Sequence, residues 1–147
     1  YKMSKLLLCL ILLLGIYKCE TYEGAMVYDM VMDSDLETTV IDLNVPKGKD
    51  FALKFRGNPS TGYTWVLLNT EAVNGPLLGI NFDDDGIGSY VPNSTDKNLL
   101  GGSGHFYYRF KALKVSNEPL VLNFSYRRIW GKIQNDVPDF AVKITVS

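Results

Sequence analysis

Phe106, Tyr108 and Phe110 alternate with Tyr107, Arg109 and Lys111, and the same period of two recurs along most of the chain. Thr39, Ile41, Leu43 and Val45 share one parity, with Asp42 and Asn44 on the other. Phe51, Leu53 and Phe55 alternate with Ala52, Lys54 and Arg56. Leu120, Leu122, Phe124 and Tyr126 alternate with Val121, Asn123, Ser125 and Arg127, and Phe140, Val142, Ile144 and Val146 with Ala141, Lys143 and Thr145. Successive side chains of a strand point to opposite faces, so one apolar parity means one face buried and one wet. Met26–Met32 reads as a further strand, and Leu77–Phe82 and Ser89–Val91 as short ones inside a long irregular stretch. No window of similar length sustains apolar residues at helical spacing. These patterns predict an all-β domain, most simply two sheets packed as a sandwich.

The N-terminus departs from this pattern. Lys2 and Lys5 precede the apolar run Leu6–Tyr17, which is too short to span a bilayer but suits the core of a signal peptide. Met3 is the expected start. Residues 1–19 are therefore expected to be a signal peptide, with cleavage between Tyr17 and Ala25, and residues 20–147 a single domain. An uncleaved N-terminal anchor is the alternative. The remaining residues, roughly 125, suffice for one core. Without Lys2, Lys5 and Lys18, 12 of the 15 basic residues face 16 acidic ones, a formal charge of −4. A mildly acidic domain with no basic block does not suit nucleic acid or an anionic membrane.

Both cysteines, Cys9 and Cys19, fall in or at the edge of that presequence. The domain is left with no internal disulfide, no thiolate zinc site and no cysteine nucleophile. A hydrolase would need His105, the only histidine, as base, with Ser103, Ser60 or Ser125 as nucleophile. No Gly-x-Ser-x-Gly elbow is present, and no orienting partner for His105 is evident. Asp83-Asp84-Asp85-Gly86 lacks the alternating ligands and later glutamate of a calcium loop, and reads as a solvated acidic turn. No metal or cofactor is expected.

Three connections are more informative. Gly57–Trp65 reads Gly-Asn-Pro-Ser-Thr-Gly-Tyr-Thr-Trp. Pro59 fixes its own φ and pushes Asn58 toward extended geometry, Gly62 permits positive φ, and the polar side chains can bond nearby backbone. A small, stiff, polar loop results. Gly101-Gly102-Ser103-Gly104 has no following Lys-Ser/Thr and no helix to receive a phosphate. Such glycines instead leave main-chain groups open to close approach by another chain. Arg128-Ile129-Trp130 follows the strand ending at Tyr126. Trp130 either caps the core or joins Arg128 as a binding hot spot, since both residue types dominate such spots. Two glycosylation sequons occur: Asn93-Ser94-Thr95 on a surface loop, and Asn123-Phe124-Ser125 on a strand, where it is less accessible.

In order, these three loops resemble those of the chagasin family of protein inhibitors of papain-like cysteine proteases, over the stretch from about Thr38 to the C-terminus. Asn58-Pro59-Ser60-Thr61-Gly62-Tyr63 is similar to the family's Asn-Pro-Thr-Thr-Gly-Tyr/Phe motif, with Ser60 in the third position and Trp65 following. Gly101-Gly102-Ser103-Gly104 resembles Gly-x-Gly-Gly with Ser103 at the third position, and Arg128-Ile129-Trp130 resembles Arg-Pro-Trp with Ile129 for proline.

The resemblance implies an immunoglobulin-like antiparallel β-sandwich of about seven to eight strands, with the loops side by side at one end as a wedge. Ser60 and Thr61 would lie over the protease's catalytic cysteine. Gly101, Gly102, Ser103 and Gly104 would run along the unprimed side, and Arg128 and Trp130 would pack on the primed side. The implied protein is a reversible, non-covalent inhibitor of cathepsin L/B-type proteases and not an enzyme. It would be a monomer, binding neither nucleic acid nor, after signal cleavage, membrane. Its expected location is the secretory pathway, ending outside the cell or in an endo-lysosomal lumen. Ser103 and Ile129 are expected to alter selectivity or affinity rather than abolish inhibition. The alternative is a secreted immunoglobulin-like adhesion or recognition module that binds another protein or a glycan through its end loops.

Overall fold

The computed structural model describes residues 20–75, 78–80, 87–93, 103–128 and 137–147. The described strands are β1 (Thr21–Tyr22), β2 (Ala25–Met30), β3 (Thr39–Val45), β4 (Asp50–Gly57), β5 (Tyr63–Leu67), β6 (Leu78–Ile80), β7 (Ser89–Pro92), β8 (Gly104–Ala112), β9 (Leu120–Arg128) and β10 (Phe140–Val146). Seven are five residues or longer; β1, β6 and β7 are short additions. One sheet runs β1-β2-β4-β8-β6, with β7 on the same side of β8 as β6, and the other runs β3-β10-β9-β5. The expected presequence, with Cys9 and Cys19, lies outside the described residues, as does Asp83–Asp85.

The apolar parities meet between the sheets. Phe55 is fully buried, with ring centroids of Trp65 at 4.8 Å, Tyr108 at 5.7 Å, Phe124 at 4.7 Å and Phe140 at 5.4 Å. Aromatic pairs at such spacings add to plain area burial. The buried Tyr108 hydroxyl donates to the Trp65 carbonyl at 2.6 Å, so the two sheets are joined by a polar bond inside the core. Satisfying that hydroxyl removes the penalty of burying it.

Three details differ from simple alternation. Most pairs are antiparallel, as expected, but β3 with β10 and β2 with β4 are parallel. Ala52, expected on the wet parity, is fully buried with Ala25 and Val27. Chain N-terminal to β2 folds back over them. Tyr22 stacks on Tyr107 at 4.1 Å, and Glu20 accepts from Lys54 at 2.8 Å. Covering the second face in this way removes the period of two from β2. The strand also stops at Met30, leaving Val31 and Met32 exposed in the connection to β3.

Candidate functional site

The register of two strand pairs decides which loops meet. β4 ends at Gly57 opposite Gly104, the start of β8. β5 begins at Tyr63 opposite Arg128, the end of β9. Residues 58–62 connect β4 to β5, so the first loop has Gly104 beside one flank and Arg128 beside the other. Of the residues singled out in the sequence, Asn58, Pro59, Ser60, Thr61, Gly62, Tyr63, Ser103, Gly104 and Arg128 fall together at this end of the sandwich. Gly101, Gly102, Ile129 and Trp130 lie outside the described residues.

The first loop is built by its own side chains. Pro59–Thr61 make a single 3-10 turn entered through extended Asn58, the geometry favoured before proline. The Asn58 carboxamide oxygen accepts from the Ser60 N–H at 3.1 Å and the Ser60 hydroxyl at 2.6 Å. The Thr61 hydroxyl donates to the Asn58 carbonyl at 2.7 Å. Gly62 closes the turn at φ 84° and donates its N–H to the Pro59 carbonyl at 3.0 Å. That left-handed conformation is open to glycine at no steric cost. The internal bonds hold Pro59, Ser60 and Thr61 outward, all three exposed.

Beneath the loop are two ties that sequence patterning does not reveal. Tyr126, assigned to the core parity of its strand, is half-buried and sits between the rings of Tyr63 and Trp65 at 5.4 and 5.2 Å. Its hydroxyl accepts the Asn58 N–H at 2.9 Å and donates to the Asn58 carbonyl at 3.2 Å. Trp65 donates its indole N–H to the Arg56 carbonyl at 2.8 Å, joining β5 to β4 below the turn. A second unforeseen residue, Asp139, accepts from the Tyr126 N–H at 2.7 Å and the Ser125 hydroxyl at 3.3 Å. These bonds explain why Ser125 is buried despite its wet parity. The only advance signal was a Tyr-Arg-Arg strand end beside an Asp-Phe strand start.

On the arginine side, the Arg128 guanidinium lies 5.0 Å from the centre of the Tyr63 ring, within cation–π range. Tyr63 is exposed and is thus a platform for Arg128 rather than a core residue. On the glycine side, a Cβ on Gly104 would stand 2.5 Å from both the Val91 carbonyl oxygen and the Tyr90 hydroxyl, so only glycine lets β7 lie this close. Asn93, at the end of β7, donates its N–H to the Ser103 carbonyl at 3.1 Å. Asn123 is half-buried in mid-β9.

His105 has Arg56 and Val91 as its cross-strand neighbours. Burial first, then Lys54 and Arg56, push its pKa below the usual range, with Asp29 and Glu20 opposing. Among the described residues no group of three His, Cys, Asp or Glu side chains could hold a metal ion. No helix there is long and apolar enough to cross a membrane. The site offers an exposed polar turn and an arginine over an aromatic ring.

These features define an immunoglobulin-like sandwich that presents a rigid polar turn between two flanking strand ends. Residues 44–144 match the chagasin family of peptidase inhibitors, I42, and the chain belongs to that family. It is 26% identical to Amoebiasin-1 of Entamoeba histolytica over 117 residues, covering 80% of this chain and 99% of that protein. Among solved structures it resembles that of amebosin in solution, with a TM-score of 0.54 at 24% identity, over 84% of this chain and 98% of the other. The cysteine protease inhibitor EhICP2 from Entamoeba histolytica gives 0.50 at 16% identity, over 84% and 100%. PbICP-C, solved in complex with falcipain-2, gives 0.50 at 19% identity, over 82% and 98%.

Proposed function

We propose that this chain is a reversible, non-covalent inhibitor of papain-like cysteine proteases and that the three adjoining loops enter the active-site cleft. One observation carries the reading. In a chain of this family, the pairings Gly57 with Gly104 and Tyr63 with Arg128 bring Gly104 and Arg128 to either flank of the turn Pro59–Thr61. The exposed turn Pro59–Thr61 is the part that would sit over the catalytic cysteine, with Ser60 and Thr61 foremost. A peptide in such a cleft is cut only when its carbonyl reaches attack geometry. A turn tied down by Asn58, Thr61, Gly62 and Tyr126 fills the space without relaxing into that geometry.

Gly101 to Gly104 would pair through main chain along the unprimed side. Arg128 and Trp130 would contact the primed side. Preorganised loops lose little entropy on docking, which favours tight binding from an interface of ordinary size. The domain itself would perform no catalysis. The apolar run Leu6–Tyr17 supports entry into the secretory pathway and action outside the cell or in an endo-lysosomal lumen.

The test is titration of papain and a cathepsin-L-type protease with residues 20–147. Stoichiometric loss of protease activity with recovery of uncleaved inhibitor is expected. Full protease activity at micromolar inhibitor would overturn the reading. Trp130→Ala should mainly speed dissociation, as truncation of a hot spot does.

A further inference from the structure

The sequon Asn93-Ser94-Thr95 acquires a new meaning from its position. Asn93 follows β7, and β7 pairs with the first residues of β8, Pro92 opposite Gly104. One residue further, Asn93 faces Ser103, the described end of the glycine loop. Two bonds join them: the Asn93 N–H to the Ser103 carbonyl at 3.1 Å, and Asn93 Nδ2 to Ser103 Oγ at 3.3 Å. Both residues are exposed. The contact is held in place from below, because Gly104 leaves no more room than a hydrogen atom needs against Val91 and Tyr90. The amide nitrogen of Asn93 therefore stands on the rim of the loop cluster, within hydrogen-bond reach of one of its members.

We infer that Asn93 is an N-glycosylation acceptor and that its glycan, standing beside Ser103, weakens closure of the inhibitor on its protease. The chemistry suits the site. Asn93 Nδ2 attacks the anomeric carbon of an oligosaccharide carried on a lipid diphosphate. The new N–C bond forms as the C–O bond to the diphosphate breaks, with that bond's electron pair leaving on the diphosphate and one amide proton passing to a base of the transferase. A carboxamide nitrogen carries two hydrogens, so substitution of one leaves the other for Ser103. The sequon has no proline at its middle position, as glycosylation requires. Asn123, by contrast, lies in mid-β9 between β10 and β5, with its N–H bound to Asn69 Oδ1 at 2.8 Å and its carbonyl accepting from Leu68 at 2.8 Å. Asn93 is the acceptor that the fold leaves accessible.

The functional half of the inference rests on the cleft-blocking reading. A protease wall closing on Ser103 must come within contact distance of it, and a sugar attached at Asn93 Nδ2, itself 3.3 Å from Ser103 Oγ, would compete for that space. Polar sugar hydroxyls trapped against the wall would also lose water without gaining matched partners.

The full chain, secreted from a eukaryotic host, provides the test. Mass analysis of the peptide containing Asn93, before and after enzymatic release of N-glycans, reads occupancy. Papain inhibition is then compared for the glycosylated chain, the enzymatically deglycosylated chain and Thr95→Ala, which removes the sequon but keeps Asn93. The expected result is an occupied Asn93 and a dissociation constant at least about tenfold higher for the glycosylated form, restored in both other forms. An unmodified Asn93 peptide in the secreted chain would overturn the acceptor assignment. Equal inhibition by glycosylated and Thr95→Ala chains would overturn the regulatory role. If no form inhibits papain, the inhibitory reading and the regulatory role fall together, while the mass of the Asn93 peptide still decides the acceptor.

Discussion

The hydroxyl of Tyr126 makes two hydrogen bonds to one residue, accepting the Asn58 N–H and donating to the Asn58 carbonyl. A side chain from β9 thereby completes, on the first residue of the loop, the bonding that a neighbouring strand would otherwise supply. The arginine-bearing strand and the turn above it are mechanically one piece. Tyr126→Phe keeps the ring between Tyr63 and Trp65 and removes only these bonds. It should cost about 1 kcal/mol in unfolding free energy and raise the inhibition constant by a larger factor than other half-buried Tyr→Phe changes. Urea unfolding and protease titration of the same preparation check both effects.

Asn58 also organises the turn from within. Asn58→Ala removes the acceptor for the Ser60 N–H and hydroxyl, and should destabilise the fold by about 1 kcal/mol, the usual cost of a lost cap. Asn58→Asp retains an acceptor oxygen and should recover most of that loss. Equal destabilisation by both, in thermal or urea unfolding, would show that the carboxamide oxygen is not what holds the turn.

Gly104→Ala tests the seam between β7 and β8. The added methyl meets a carbonyl oxygen of the partner strand, which cannot swing aside as a side-chain tip can. Overpacking of this kind costs about 1–3 kcal/mol. Hydrogen exchange should show earlier loss of protection at Val91 and Asn93 than at core strands. A variant as stable as the parent, with β7 still protected, would refute the close-approach argument.

His105 makes stability depend on pH in a direction fixed by its surroundings. Burial first, and then Lys54 and Arg56 on β4, disfavour its protonated form in the folded chain, with Asp29 and Glu20 opposing. The unfolded chain therefore binds this proton first as pH falls below the ordinary histidine value of 6.5. The stabilising contribution is complete above that value and is lost progressively below it. His105→Gln should narrow the difference between urea midpoints at neutral and mildly acidic pH. An unchanged difference would mean that His105 does not feel those charges.

Much of the framework was legible because its signal is local. The parity of Phe51, Leu53 and Phe55, or of Phe140, Val142 and Ile144, needs only the pleat of a strand and a wet side to be read. The connection at Asn58–Tyr63 was legible as well, since Pro59 fixes its own φ and Gly62 permits a positive one wherever they occur. Partner choice was not legible. Nothing in Thr39–Val45 says that it will lie parallel to Phe140–Val146, and nothing in Ala52 foretells that Tyr22 and Glu20 will fold back over it. The same holds for Tyr126 and Asp139, whose roles depend on hydrogen bonds between segments distant in sequence.

The pairing of β3 with β10 has a further consequence in time. The Thr38 hydroxyl donates to the Pro138 carbonyl, a separation of 100 residues, and the strands run parallel from there. Contacts this far apart make folding slow, because the loop-closure entropy is lost before the pairing repays it. As β10 is also the neighbour that holds β9, the strand carrying Tyr126 and Arg128 gains its full support only once Phe140–Val146 has been synthesised. A nascent chain that stops short of Phe140 would thus hold the turn at Pro59–Thr61 on an anchor strand lacking one of its two neighbours. On the cleft-blocking proposal, the resistance of this loop to cleavage would depend on a strand far from it in sequence.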